Sequence, residues 1–379
     1  MIKNQPHSIN FRNIFLNFES LIFVISQISV GFLNYLFQIY ASKTLNTIDF
    51  GSWSHWLAQF SVTCFVGVWL QSLTSIGDAE SWFHLKKSRL LMIALWLGFL
   101  FSVFLKNESI LFFFAWAASL LNGFWFGVHL RTKHIRLLAI ASLLGVLAKF
   151  IWVLLDPSSF SFYRAQALAP LIACSFFLIF SKLKISSPTA RFQLYPQVAL
   201  ASISLAFFAS WVPQVDLLVL PQILSASEFG LFAKVALLNK GFYFAFQTLA
   251  QLLLAYQVQP GSARLSGRHF FLFGLFGTLA AGGGFGVALY LGWPASWAVL
   301  SLFHMTSLCL LFLALQDLAS RHQGALALTL CLLSVLLALV GKSFGWQAES
   351  YWSFSILIEL VTILGLVRFC IKNQDLSKN

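Results

Sequence analysis

Two short stretches of this chain, 179 residues apart, decide its architecture. The first is Leu45 followed by Asp-Phe-Gly-Ser-Trp at 49–53, and the second is Leu224 followed by Glu-Phe-Gly-Leu-Phe at 228–232. Each stretch follows one long apolar segment and opens the next. Each also joins an acidic residue to Phe-Gly and a further aromatic ring. The chain is therefore expected to consist of two related halves.

The composition places most of the chain in a membrane. Of its 379 residues, 59% are hydrophobic and 9% are charged, with 42 Phe and 13 Trp. A soluble protein of this length cannot bury so much apolar surface while exposing so few charges. A helix needs about 20 apolar residues to cross the bilayer core. Twelve segments qualify approximately: 21–42, 53–75, 88–105, 110–130, 137–155, 164–181, 198–220, 229–256, 269–291, 295–316, 324–341 and 352–371.

The basic residues indicate the orientation of these segments. With the N-terminus inside, 17 of the 24 Lys and Arg residues lie in cytoplasmic stretches, whereas the opposite loops hold Lys43, Lys106 and Lys342. Cytoplasmic loops of membrane proteins carry this excess of positive charge. The pattern predicts twelve spans with both termini cytoplasmic. The two short segments, 88–105 and 324–341, leave eleven spans as the alternative.

The longest loop marks the join between the two halves. It lies near 182–197 and contains Pro188 and Pro196. We predict an all-α polytopic membrane protein of about 12 transmembrane helices, arranged in two six-helix lobes, 1–187 and 188–379, around a central cavity. Because repeated halves in a very apolar chain are typical of transporters, a substrate path is expected where the halves meet.

The loops and the cysteines argue against several other classes of protein. No loop reaches the roughly 50 residues of a small domain, and no GxxxxGK[ST] phosphate loop is present. The cytoplasmic loops explain most of the net charge of +12, so no nucleic-acid partner is expected. The cysteines lack metal-ligand spacing, and neither a metal nor a cofactor is expected. They are Cys64, Cys174, Cys309, Cys331 and Cys370.

The repeated stretches are interpreted as helix starts rather than as binding motifs. The carboxylates of Asp49 and Glu228 would face the positive end of a helix dipole. Gly51 and Gly230 would permit a tight entry turn, and the aromatic ring would lie at the membrane interface. The offset of 179 also aligns the second helix of one half with that of the other. It pairs polar residues within these helices: His55 with Lys234, and Ser61 with Lys240.

Charged residues inside the second half are candidate site residues. Placing an ionisable group at the centre of a membrane helix costs about 2.5–3.5 kcal/mol of insertion free energy, so each such residue is expected to have a structural or functional role. Lys240 lies deep in its span, and Lys234 lies nearer the outer end, where its side chain can reach the interface. Asp216 follows Pro213, which is expected to break the helix. An Asp216–Lys234 ion pair and a direct role in substrate binding are equally supported.

The first two helices carry further polar side chains at helical spacing. Gln27, Asn34 and Gln38 follow one another at intervals of seven and four residues and share a face, as do His55 and Gln59. They can form interhelical hydrogen bonds or line a hydrated cavity. The first, second, seventh and eighth segments hold most of the intramembrane polar groups, which favours the cavity.

Two more ionisable residues lie in other spans. Lys149, in the fifth segment, is a candidate cavity cation. Glu359, in the twelfth, is either a buried partner for a cation or a carboxylate linked to proton transport.

These motifs resemble those of bacterial polysaccharide flippases, which belong to the multidrug/oligosaccharidyl-lipid/polysaccharide exporter superfamily. The resemblance is carried by Leu45 with the stretch 49–53, and by Asp216-Leu-Leu-Val-Leu, Leu224 and the stretch 228–232 before a lysine-bearing helix. It covers the two motif regions well and the full length loosely. The chain is short for such flippases, and its ninth to twelfth segments carry no signature.

The resemblance implies a cavity formed largely by helices one, two, seven and eight. Such proteins move a polyprenyl-diphosphate-linked oligosaccharide between leaflets of the bacterial inner membrane by alternating access, alongside other membrane proteins of polysaccharide assembly. Lysines would attract the diphosphate, and neutral polar groups would bind sugar or phosphate. The expected substrate-cavity residues are Lys240, Lys234, Lys149, Asn34, Gln38, His55, Gln59 and Asn239, with Asp216 and Glu359 as ion-pair or coupling candidates.

Two other functions compete with this one. A cation-coupled multidrug exporter of the same superfamily would favour acidic residues in the cavity, and the spans hold more lysines than acids. An intramembrane glycan polymerase or acyltransferase would require a sizeable outer loop with Arg or His residues. The outer loops here are short and nearly lack both.

Overall fold

The computed structural model describes residues 18–76, 85–132, 134–180, 196–237, 240 and 295–320, with single positions at 282, 286, 289 and 357. Two of the expected site residues, Asn239 and Glu359, lie outside the described residues. So do the segments 324–341 and 352–371, apart from position 357, and most of 269–291.

All regular structure in the described ranges is helical. Six helical stretches are long and apolar enough to cross a membrane: Thr47–Thr74, Lys87–Leu105, Glu108–Leu130, Ile135–Leu155, Ser159–Phe180 and Ser202–Gln222. The helices are α1 (Phe18–Thr44), α2 (Thr47–Thr63), α3 (Phe65–Ile76), α4 (Leu85–Leu105), α5 (Glu108–Arg131), α6 (Ile135–Leu155), α7 (Ser159–Phe180), α8 (Pro196–Trp211), α9 (Val215–Val219), α10 (226–237) and α11 (Ala295–Ser320).

Helices α1 to α7 pack into one bundle. The most extensive pairings are those of α6 with α7 and α1, and of α5 with α3 and α7. Small residues allow the backbones to approach: a side chain at Gly123 of α5 would overlap the carbonyl of Gly67 in α3. Such close contacts are typical of helices that associate in lipid. The outer faces carry exposed apolar side chains, among them Phe104 and Leu155, which suit a lipid environment.

Both copies of the repeated stretch begin a helix with a reciprocal cap. The Asn46 side chain accepts a hydrogen bond from Asp49 N at 2.8 Å and donates one to Asp49 Oδ2 at 2.8 Å. Ser225 N donates to Glu228 Oε2 at 3.0 Å, and the Ser225 hydroxyl donates to the same oxygen at 2.6 Å. These bonds from Ser225 lower the pKa of the Glu228 carboxyl. Reciprocal caps of this kind satisfy free N–H groups at a helix start, so the expected role of the two acids is confirmed.

The glycines and aromatic rings of the two stretches have a different role from the one expected. Gly51 and Gly230 both lie within helices rather than in entry turns. A Cβ on Gly51 would lie 3.1 Å from Gly230 Cα, and one on Gly230 would overlap the carbonyl oxygen of Thr47. The two stretches therefore cross each other at their glycines. Trp53 and Phe232 are at most 1% exposed, so they are core residues and do not lie at the interface.

Two spans are broken near their middle. The seventh is interrupted after Trp211 by a 3₁₀ turn, Val212–Gln214, which contains Pro213, as the sequence predicts. A second 3₁₀ turn, Leu220–Gln222, follows α9. The second span breaks at Cys64 without any proline. There the Trp116 indole N–H donates to the freed carbonyl of Thr63 at 2.9 Å.

Candidate substrate cavity

A polar cavity of about 360 Å³ lies inside the first bundle. Residues of α1, α2, α3, α5, α6 and α7 line it. Of the four helices named by the resemblance, the first and second contribute to this lining. The lining residues are Gln27, Val30, Asn34, Phe60, Gln71, Ser119, Asn122, Phe126, Leu130, Ser142, Gly145, Val146, Lys149, Gln166, Ala169, Pro170 and Ala173.

Lys149 supplies the charge of this cavity. It is 5% exposed, and its ammonium donates a hydrogen bond to Asn34 Oδ1 at 2.7 Å. The same nitrogen lies 4.8 Å from the centroid of the Phe37 ring, within range of a cation–π interaction. No carboxylate accompanies it among the described lining residues. The structure thus joins two expected site residues, Lys149 and Asn34, across α6 and α1.

Five carboxamides line the cavity together with the lysine, and some of their polar atoms lack a partner within the described structure. Gln27 is 7% exposed, and its Nε2 donor has no hydrogen-bond partner within the described structure. The Asn122 Oδ1 acceptor is likewise buried and unpaired there. Buried polar groups are normally paired. A donor and an acceptor left open beside a cavity suit a ligand rich in hydroxyl groups. The carboxamides belong to Gln27, Asn34, Gln71, Asn122 and Gln166.

Several of these residues were absent from the sequence-based expectation. Ser119 and Asn122 are one turn apart on α5, and Ser142 precedes Lys149 by seven residues on α6. Both spacings place polar groups on one face of an apolar helix. The same signal that identified Gln27 and Asn34 was therefore present in α5 and α6.

Lys240 has a different environment from Lys149. Its ammonium is 0% exposed and forms an ion pair with Asp216 Oδ1, which also accepts a hydrogen bond from Leu217 N at 2.7 Å. The ion pair of Asp216 therefore involves Lys240. The Asp216–Lys234 pair, one of the two alternatives that the sequence left open, is wrong. The Lys234 ammonium lies 5.7 Å from the centroid of the Phe50 ring. Neither lysine is among the residues that line the polar cavity.

His55 of α2 contacts α9 and its helix neighbour Gln59. His55 Nδ1 lies 2.9 Å from the carbonyl oxygen of Leu217, beside Asp216, and Gln59 Nε2 lies 2.9 Å from His55 Nε2. The tautomer that donates from Nδ1 to Leu217 and accepts from Gln59 satisfies both bonds. Gln38 is 8% exposed. These three expected site residues lie outside the lining of the polar cavity.

The arrangement selects for one class of ligand chemistry. A buried ammonium attracts an anionic group, and carboxamides both donate to and accept from hydroxyl groups. No group of three or more His, Cys, Asp or Glu side chains able to hold a metal ion occurs in the described part of the chain. The cavity is therefore suited to an anionic molecule that carries hydroxyl groups.

Several solved structures align with this chain over most of its length. The eukaryotic MATE transporter AtDTX14 aligns over 94% of this chain and 96% of its own, with a TM-score of 0.57 and 12% identity. A MATE protein in complex with MaL6 aligns over 95% and 97% (TM-score 0.43, 11% identity), and a MOP superfamily transporter from Pyrococcus furiosus over 95% and 97% (TM-score 0.40, 12% identity). No family model and no curated protein matches. The predicted all-α polytopic fold is confirmed, and it is the fold of MATE transporters.

Proposed function

We propose that this protein is a membrane transporter that flips a polyprenyl-diphosphate-linked oligosaccharide across the bacterial inner membrane by alternating access. The observation that carries the proposal is the buried Lys149 ammonium, set among carboxamides with no carboxylate among the described lining residues. The MATE fold supports transport in general. The charge of the cavity supports an anionic, sugar-bearing substrate.

Lys149 binds the diphosphate, and the carboxamides bind the first sugar. Burying one ammonium in a membrane protein costs a few kcal/mol, and an anionic substrate offsets that cost when it binds. A volume of about 360 Å³ is at the lower end of the range for ligand pockets. The cavity therefore holds the diphosphate and the adjoining sugar, while the rest of the glycan extends beyond it.

The substrate enters from the cytoplasmic side. In the predicted orientation, Gln27, Gln71 and Leu130 of the lining lie toward the cytoplasmic ends of their helices. At the outer side, α2 and α10 cross at Gly51 and Gly230 without room for a side chain. Both observations support loading from the leaflet in which lipid-linked oligosaccharides are built.

The remaining expected residues take supporting roles in this proposal. Lys149 replaces Lys240 as the principal cation, because Lys240 is neutralised by Asp216. Lys234 and Asn239 remain predicted contacts for the substrate. Glu359 keeps its predicted place as an ion-pair or coupling candidate, and Asp216 links the seventh and eighth spans through Lys240.

A cation-coupled multidrug exporter is the second candidate, and the MATE fold itself favours it. Exporters of cationic drugs gain affinity from acidic groups. In this cavity Lys149 would repel a cation, and no described lining residue opposes that charge. The flippase is the better match to the cavity.

The test replaces the charge of Lys149 while keeping a hydrogen-bond donor. Lys149→Gln keeps an N–H donor on a slightly shorter side chain facing Asn34, so the bundle is expected to fold normally. Flipping of a fluorescent lipid-linked oligosaccharide in proteoliposomes should fall at least about tenfold, because a charge-assisted hydrogen bond contributes about 1.5–3 kcal/mol. Lys43→Gln, at an exposed lysine at the end of α1, is the matched control and should transport normally.

Two results would contradict the proposal. One is undiminished flipping by Lys149→Gln. The other is wild-type protein that exports ethidium from the vesicles but leaves the oligosaccharide in place, which would establish the multidrug exporter.

A further inference from the structure

A second, apolar pocket lies beside the polar cavity. Its volume is about 330 Å³. The Thr63 hydroxyl in its wall donates to Phe60 O at 3.0 Å, and the Trp116 indole donates to Thr63 O, so these polar groups are satisfied within the protein. The lining is Val62, Thr63, Phe65, Val66, Phe112, Phe113, Trp116 and Trp211.

The pocket is built from both halves of the chain. The break between α2 and α3 provides one wall, α5 a second, and Trp211 at the end of α8 a third. It is thus located where α8 of the second half meets the first bundle, and α8 packs against α3. Phe113 is 57% exposed, so this part of the pocket wall faces the surrounding lipid.

The two spaces adjoin along α5. Phe112 and Trp116 line the apolar pocket, and Ser119 and Asn122 line the polar cavity. Steps of three or four residues keep all four on one helix face. Trp116 and Ser119 are thus separated by a single turn at the point where the apolar lining ends and the polar lining begins.

We propose that the apolar pocket holds part of the polyisoprenoid chain of the substrate while the polar cavity holds its head group. This assignment rests on the proposed flippase function. A polyprenyl diphosphate joins an anionic head group directly to an apolar chain. In the same way, the polar cavity is followed along α5 by the apolar pocket. Five of the eight lining residues are aromatic. Their rings offer flat apolar surfaces to the methyl branches and double bonds of an isoprenoid.

The experiment compares two phosphates that differ only in chain length. Undecaprenyl phosphate and dimethylallyl phosphate are titrated against the full-length protein in detergent, and bound ligand is counted by native mass spectrometry. Val66→Trp fills the pocket, and Phe113→Ala removes an exposed wall. Ile151→Trp is the control, because Ile151 is 58% exposed on α6 and lines neither space.

Val66→Trp should bind undecaprenyl phosphate about tenfold more weakly, the loss expected when a few chain methylenes are excluded from the pocket. Phe113→Ala should weaken it in the same direction. Dimethylallyl phosphate should bind both variants and the wild type alike, and Ile151→Trp should match the wild type with both ligands.

Wild-type affinity of Val66→Trp and Phe113→Ala for undecaprenyl phosphate would overturn the assignment. Equal competition by dioleoylphosphatidylglycerol would also overturn it, because the pocket would then take any lipid chain. Lys149→Gln separates this proposal from the function on which it rests. If that variant binds both phosphates normally, the proposed head-group site is wrong. The comparison of the two chain lengths with Val66→Trp still shows whether the apolar pocket holds the isoprenoid chain.

Discussion

Lys149 and Lys240 differ in the groups that pair with them. Both are buried lysines within apolar helices. Asp216 neutralises Lys240, whereas Lys149 has the neutral amide of Asn34 and faces a cavity. A buried lysine that is paired with a carboxylate stabilises the fold. A buried lysine without such a partner among the described residues can bind an anionic ligand.

The Lys240 ion pair leads to a prediction about stability. Lys240→Ala leaves Asp216 buried and uncompensated, which should cost about 3–5 kcal/mol. The double variant Asp216→Asn/Lys240→Met removes both charges and should regain most of that loss. Thermal unfolding of the purified protein in detergent measures both. Loss of transport by Lys240→Ala should therefore accompany reduced protein levels, and a fully stable Lys240→Ala protein would contradict the structural role.

At the scale of elements, the two repeated stretches determine how close α2 and α10 come. Reciprocal caps at Asn46 and Ser225 start the two helices, and the glycines that follow allow the helices to cross. The acid and the glycine of each stretch thus have separate tasks. The acid stabilises a helix start, and the glycine removes the volume that would hold two helices apart.

This crossing can be tested with alanine substitutions. A methyl group at Gly230 would overlap the carbonyl of Thr47, which is backbone and cannot turn away. Gly230→Ala should therefore destabilise the protein by roughly 1–3 kcal/mol, the usual range for overpacking. Gly51→Ala, with its nearest contact at 3.1 Å, should have a smaller effect. The measurement is thermal unfolding in detergent.

Gly282→Ala is the matched control for this series. A Cβ at Gly282 meets nothing within 4 Å, so its substitution should not lower the melting temperature. Equal melting temperatures for Gly230→Ala and Gly282→Ala would show that the crossing does not require glycine.

The two helix breaks differ in how far the sequence predicts them. Pro213 lacks an N–H group, so the break in the seventh span follows from local chemistry. The break at Cys64 depends on Trp116, which lies 53 residues away from Thr63 along the chain and satisfies the freed carbonyl. Only the packed structure brings that donor to the break.

At the scale of the whole molecule, the orientation in the membrane rests on the distribution of Lys and Arg. Cysteines placed at Lys43 and Lys106 should react with a membrane-impermeant maleimide on intact cells. A cysteine at Lys87 should react only after permeabilisation. All three positions are exposed. The background should lack the five native cysteines.

If the cysteine at Lys87 were labelled on intact cells while those at Lys43 and Lys106 were protected, the membrane orientation would be the opposite of the predicted one. The polar cavity would then load from the opposite side, and the proposed direction of transport would fail.

The fold class and the helix starts follow from local features of the sequence. Apolar length is a local property, so the spans follow from composition, and the caps at Asn46 and Ser225 depend on residues three positions apart. Which polar groups converge depends instead on the packing of helices that are distant in sequence. Lys149 meets Asn34 across 115 residues of sequence, and Lys240 meets Asp216 from another span. Helical spacing shows which residues share a face, but it does not show which helix that face meets. The cavity therefore depends on which helices pack against one another.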